Sequence, residues 1–115
     1  MAGLEPVFSV SLEQAGTTWQ MRLVGEFDLA GVGRVENAFD RVFTASATRR
    51  VVVDLRQLSF LDVAGLRTIL RADQRAHLAA LELIVVRPSG TANRVFTLTR
   101  AGQELTMVDE PEFAA

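Results

Sequence analysis

Val51-Val52-Val53-Asp54-Leu55-Arg56-Gln57-Leu58-Ser59-Phe60-Leu61-Asp62-Val63-Ala64-Gly65-Leu66 is the stretch that decides the fold. Arg50 to Leu55 is a nearly continuous β-branched run, which suits an interior strand buried on both faces of a parallel sheet. Arg56 to Leu61 reads as a loop carrying Leu58 and Phe60. Asp62 then has the character of a helix N-cap, its carboxylate placed to accept from the amide of Ala64 or Gly65. Beyond it Leu66, Ile69, Ala72, Ala76 and Ala80 share one helical face. Arg67, Arg71 and Arg75 form an i, i+4 stripe on roughly the opposite face. The expected sequence of elements is a buried strand, a loop and a capped helix.

Downstream, Glu82 to Val86 reads as the next strand, ended by Arg87-Pro88-Ser89-Gly90. Thr91 to Arg100 predicts a shorter helix with Val95, Phe96 and Leu98 turned towards the sheet, and Gly102 predicts its stop. Leu105 to Val108 suits an edge strand, and residues 109–115 a frayed polar tail. Upstream, Val7 to Leu12 and Trp19 to Val24 alternate as half-buried strands around a turn at Gln14-Ala15-Gly16-Thr17, an antiparallel pair. Trp19, Met21 and Leu23 share one face of it. Gly25-Glu26-Phe27-Asp28 breaks the pattern. A helix follows from about Leu29 to Thr44, with Val32, Val35, Phe39, Val42 and Phe43 in its apolar stripe and Arg34, Asn37 and Arg41 off it. The order is β-β-α-β-α-β-α with room for a last edge strand. That predicts a single α/β domain over 1–115, its core at about 7–108, built on a mixed, mostly parallel sheet with packed helices.

Composition narrows the chemistry. At 115 residues the chain has the length of one domain, and 49% hydrophobic residues are enough for a core. It has no Cys, which excludes disulfide frameworks, thiolate nucleophiles and Cys-based zinc sites. It has one His and no Lys, so neither a His metal cluster nor a Schiff-base lysine is available. All 12 basic residues are Arg, and the net charge is −2. An isoelectric point near 5.3 lacks the basic footprint of nucleic-acid binding. No stretch approaches the roughly 20 apolar residues of a membrane span. Met1 to Val10 contains Glu5 and Pro6 and no basic segment, unlike a signal peptide, so the cytoplasm is the expected location.

Few residues could carry a reaction. Asp73 and His77 stand four apart on a helix and can touch, but no Gly-x-Ser-x-Gly elbow accompanies them. They read as a partly exposed helix pair. No phosphate loop is present, and Gly31 and Gly33 read as a flexible helix start. Neither catalysis, a metal nor a cofactor is expected. The N-terminus at Asp62 offers unpaired amides and partial positive charge, suited to an anion or a partner's acceptor. Ala64 and Gly65 are small enough for a partner backbone to come close. An ordinary capped helix is the plainer reading of the same residues.

The stretch resembles the STAS domain of bacterial anti-sigma factor antagonists, whose helix start usually reads Asp-Ser-Ser/Thr/Ala-Gly-Leu. Here it reads Asp62-Val63-Ala64-Gly65-Leu66. Two further family elements are similar. Gly-Glu-Leu-Asp appears as Gly25-Glu26-Phe27-Asp28, and the Pro-Ser turn with its Arg-Val helix appears as Pro88-Ser89 with Arg94-Val95-Phe96. The likeness runs from about Phe8 to Val108. It implies a non-enzymatic module that binds a kinase-type anti-sigma factor, or a related signalling ATPase, through Asp28, Asp62, Val63, Ala64, Gly65 and Arg67. In that family the kinase phosphorylates the serine after the motif's Asp, and the phosphate weakens the complex.

Here that position is Val63, and the next is Ala64; neither has a hydroxyl. Ser59 and Thr68 are the nearest hydroxyls, and neither occupies the acceptor position. The expectation is an antagonist without the usual phosphoswitch. Two alternatives remain. STAS-like domains also serve as accessory or scaffold subunits of transporter ATPases and sensory complexes, for which the Arg67-Arg71-Arg75 stripe is a candidate docking face. A weaker alternative is a nucleotide sensor at the Asp62 helix start, which the Asp28–Asp62 acidic pair opposes.

Overall fold

A computed structural model describes residues 8–110 of the chain. Val7 of the expected first strand and residues 111–115 of the expected tail lie outside the described residues. Strands β1 (Ser9–Ala15) and β2 (Thr18–Phe27) are followed by a 3-10 turn (Leu29–Gly31) and helix α1 (Val32–Thr44). Then come β3 (Arg50–Leu61), α2 (Val63–Leu78), β4 (Glu82–Val86), α3 (Gly90–Leu98), α4 (Ala101–Glu104) and β5 (Met107–Val108). The expected α/β class, with its antiparallel pair and parallel remainder, is the observed one.

The five strands lie in chain order, β1-β2-β3-β4-β5. Parallel neighbours joined in chain order by right-handed crossovers place each connecting helix on the same face of the sheet. The side chains agree. Met21, Leu23, Val51, Val53, Leu55, Leu83 and Val85 join one buried cluster with Val35, Phe39, Ile69, Ala72 and Phe96 of the helices. The alternate positions Gln20, Arg22, Val52, Asp54 and Val86 therefore belong to the other face. Burying a large apolar side chain is worth about 1.5–3 kcal/mol, so the Phe27, Phe39 and Phe96 group dominates the helix side.

The β1–β2 hairpin turns on Gly16 and Thr17 alone, and Ala15 already pairs with Thr18. Gly16 has φ +63°, the left-handed conformation that such a tight turn requires. Gly25-Glu26-Phe27 does not end β2, as the broken alternation suggests; all three residues still pair with β3.

The segment Arg56–Leu61, expected as a loop, is the second half of β3. Leu55, Leu58 and Leu61 are buried, while Arg56, Gln57, Ser59 and Phe60 are exposed. That is a period of three. Against β2 the register passes from Arg22↔Asp54 to Val24↔Gln57, then from Gly25↔Leu58 to Glu26↔Phe60. Each step inserts one extra residue into β3. A bulge of this kind lets an apolar residue return to the core after three positions instead of two, so the strand has no alternation to read.

The end of the chain also departs from expectation. α3 stops at Leu98, which is exposed, while Ala92 and Phe96 are buried. Gly102 lies inside α4 and does not terminate a helix. A Cβ there would stand 2.9 Å from the Phe96 carbonyl oxygen, so the glycine permits a close approach. Ala80 falls beyond α2, exposed and with φ +58°, and does not share the buried face. No helix among the described residues is long and apolar enough to cross a membrane.

Candidate functional site

Two capping carboxylates stand at the C-terminal ends of β2 and β3. Asp28 follows β2, and its Oδ1 accepts the Ala30 N–H at 3.0 Å at the start of the 3-10 turn. Asp62 follows β3, and its Oδ1 accepts the Gly65 N–H at 2.9 Å, the expected N-cap of α2. The Asp62 N–H donates to the Phe27 carbonyl at 3.2 Å, which ties the two strand ends together. Each carboxylate thus occupies an amide that a helix start otherwise offers to an anion.

Beneath them lies an aromatic floor. Phe27 stacks on Phe8 with ring centroids 5.0 Å apart. A Cβ on Gly65 would stand 2.7 Å from Leu61 Cδ1 and 3.0 Å from the Phe27 carbonyl oxygen. Gly65 is buried, and its smallness seats α2 on β2 and β3. Gly31 does the same over the Phe8 ring, 2.7 Å from where its Cβ would be.

Val63 is exposed, at 59% of its surface, with Ala64 and Asp62 partly exposed beside it and Arg67 a turn further along. Two residues not among the expected site residues join this end of the sheet. Leu29, directly after Asp28, is 72% exposed, and Phe60, paired in register with Glu26, is 40% exposed. Both are large apolar side chains that neither the α1 stripe nor the strand alternation uses, and that was the available signal. Exposed apolar side chains at one end of a domain, rimmed by polar groups, mark an interaction surface.

The arginine stripe divides. Arg75 pairs with Asp40 at 2.7 Å and stands over the Phe43 ring at 4.7 Å, and Arg71 pairs with Glu36 at 3.5 Å. Both fasten α2 to α1. Arg67 makes no ion pair among the described residues.

The two hydroxyls nearest Val63 differ in access. Ser59 is exposed on β3. Thr68 is buried, its Oγ1 donating to the Ala64 carbonyl at 2.9 Å.

Asp73 and His77 meet as their spacing predicts, with His77 Nδ1 3.5 Å from Asp73 Oδ2 and 2.9 Å from the Asp73 carbonyl. Burial pushes the Asp73 carboxyl above its ordinary range; the His77 charge opposes this, and Glu104 adds to it. On the sheet's other face Asp54, 2% exposed, holds Arg56 through contacts of 2.8 and 3.0 Å and faces Arg22 at 3.6 Å. Burial raises its pKa, but hydrogen bonds from Arg56 and the charges of Arg56 and Arg22 outweigh that and hold it below the ordinary value.

No curated protein matches the chain significantly. Among solved structures, the unphosphorylated anti-sigma factor antagonist SpoIIAA is 24% identical, with a TM-score of 0.70 and 90% of each chain covered. The phosphorylated form of the Bacillus protein SpoIIAA is also 24% identical, with a TM-score of 0.69 over 89% of this chain and 93% of that one. An anti-sigma factor antagonist from Mycobacterium paratuberculosis is 20% identical, with a TM-score of 0.77 over 90% and 87%. These likenesses establish a shared fold. The family model for the STAS domain matches residues 9–114, nearly the whole sequence. The chain therefore belongs to the STAS domain family.

Proposed function

We propose that this STAS domain is a non-enzymatic docking module of the anti-sigma factor antagonist kind. Its surface is the end of the sheet that carries Asp28, Asp62, Val63, Ala64 and Arg67, widened by Leu29 and Phe60; Gly65 supports it from below. Its partner is a kinase-type anti-sigma factor or a related signalling ATPase. The observation that carries this reading is that Leu29, Phe60 and Val63 are all exposed at the strand ends where two carboxylates cap their own helix starts. The capping also disfavours a nucleotide there. A phosphate would have to displace a carboxylate from the amide it holds, and would meet its negative charge.

Val63 and Ala64 leave no hydroxyl at the position where relatives take their phosphate, so this antagonist is constitutive or is regulated by another route. Affinity purification from native cells tests the reading. Recovery of a histidine-kinase-like ATPase, lost on Leu29→Asp, supports it. Recovery of transporter subunits in its place, or capture that Leu29→Asp leaves unchanged, would move the function elsewhere.

A further inference from the structure

A groove of about 440 Å³ runs between β1, one of the two edge strands of the sheet, and α1. This is within the size range of small-molecule sites, about 300–1,000 Å³. Val10, Leu12, Trp19 and Ala38 give it apolar walls, and Arg34 and Arg41, two turns apart on α1, stand along it. No carboxylate lines it among the described residues. The acids of α1 near this point, Glu36 and Asp40, are paired with Arg71 and Arg75 of α2. Arg41 makes no ion pair among the described residues, and Arg34 donates one bond, at 2.7 Å, to the Phe8 carbonyl. The Trp19 indole N–H is shut off from solvent without an acceptor. The groove thus holds positive charge with no carboxylate to balance it, with the Ser9 hydroxyl and the Asn37 amide beside an apolar wall.

We propose that the groove between β1 and α1 binds an amphipathic monocarboxylate, a medium-chain fatty acid in size and shape. The carboxylate takes the Arg41 guanidinium and the free N–H groups of Arg34, an ion pair with charge-assisted hydrogen bonds. The tail lies against Val10, Leu12 and Trp19, where burying each CH₂ adds to affinity. The site is separate from the docking surface and does not depend on it.

Trp19 is the chain's single tryptophan, so its fluorescence reports on this groove alone. The full chain is titrated with decanoate below its micelle concentration, and with decanol as an uncharged twin. The expected result is a saturable change in emission with decanoate and a response to decanol about tenfold weaker. Arg41→Gln should weaken decanoate binding about tenfold, the usual effect of removing a charge-assisted contact. Arg94→Gln, at an exposed position of α3, should bind like the parent. A flat titration at millimolar decanoate, equal responses to both ligands, or an Arg41→Gln protein that titrates like the parent would each overturn the proposal. So would an equal loss in Arg94→Gln, which would mean that net charge alone attracts the anion.

Discussion

The Phe27 carbonyl accepts the Asp62 N–H at 3.2 Å, and this one bond joins the end of β2 to the start of α2. Asp28 follows Phe27 directly, so the same bond brings both capping carboxylates to one edge of the surface. Residues 34 positions apart in sequence become neighbours because β2 and β3 are parallel and end together at Phe27↔Leu61.

The caps predict a graded loss. Asp62→Ala frees the Gly65 amide at the first turn of a 16-residue helix and should cost about 1 kcal/mol. Asp62→Asn keeps an acceptor and should cost less. Asp28→Ala serves only a 3-10 turn and should cost less than Asp62→Ala. Urea denaturation of the three variants gives the order directly.

Two glycines should respond with opposite signs. Gly65→Ala forces a methyl against Leu61 and the Phe27 backbone and should destabilise by about 1–3 kcal/mol. At Gly33, in α1, a Cβ meets nothing within 4 Å, so Gly33→Ala should stabilise by about 0.5–1 kcal/mol. Thermal melts of both variants check the pair; a neutral Gly65→Ala would contradict the close seating of α2.

Acid stability should depend on Asp54. Its folded pKa lies below the ordinary 3.8, so its contribution is present above that value. It is lost as the pH falls through the lowered folded pKa. Asp54→Asn should cost about 1 kcal/mol at neutral pH, a modest figure because Arg22 and Arg56 are more than a third exposed. In strong acid the parent and variant should converge. Asp73 has the reverse sign. Its raised pKa means the folded state holds the proton more tightly, so ionisation disfavours folding as pH rises through that raised value. Asp73→Asn should relieve this at neutral pH, with the difference vanishing below 3.8. Denaturation midpoints measured across pH separate the two.

The missing hydroxyl can be restored. Val63 is well exposed, so Val63→Ser should change stability by no more than about 0.5 kcal/mol. Incubated with a cognate kinase and ATP, the parent should stay unlabelled, and Val63→Ser should take one phosphate at position 63. That phosphate adds about −1.5 to −2 charge beside Asp62 and should weaken the partner complex. Mass spectrometry locates the label; stoichiometric phosphate on Ser59 of the parent would show a switch at another position.

Much of this was legible in the residues. Val51 to Leu55 announced a buried parallel strand, Asp62 a cap, and the periodicity of α1 and α2 their buried faces. The second half of β3 was not legible, because its two bulges replace alternation with a period of three. Leu29 and Phe60 are not legible as surface residues, because an exposed apolar side chain carries no periodic signal. From the sequence Gly65 reads as small for a partner's sake; in the fold it is small for Leu61 and Phe27.

Local chemistry along the chain was enough to determine most of the element types, the α/β class, the helix cap and the absence of a hydroxyl at position 63. Those properties depend on a residue and its near neighbours. Tertiary structure decided what lies beside what: Asp28 by Asp62, Arg71 and Arg75 against α1, and a groove of unpaired cations along the edge strand β1. Such contacts join residues distant in sequence, and they exist only once the sheet's register and the helices' common face bring the segments together.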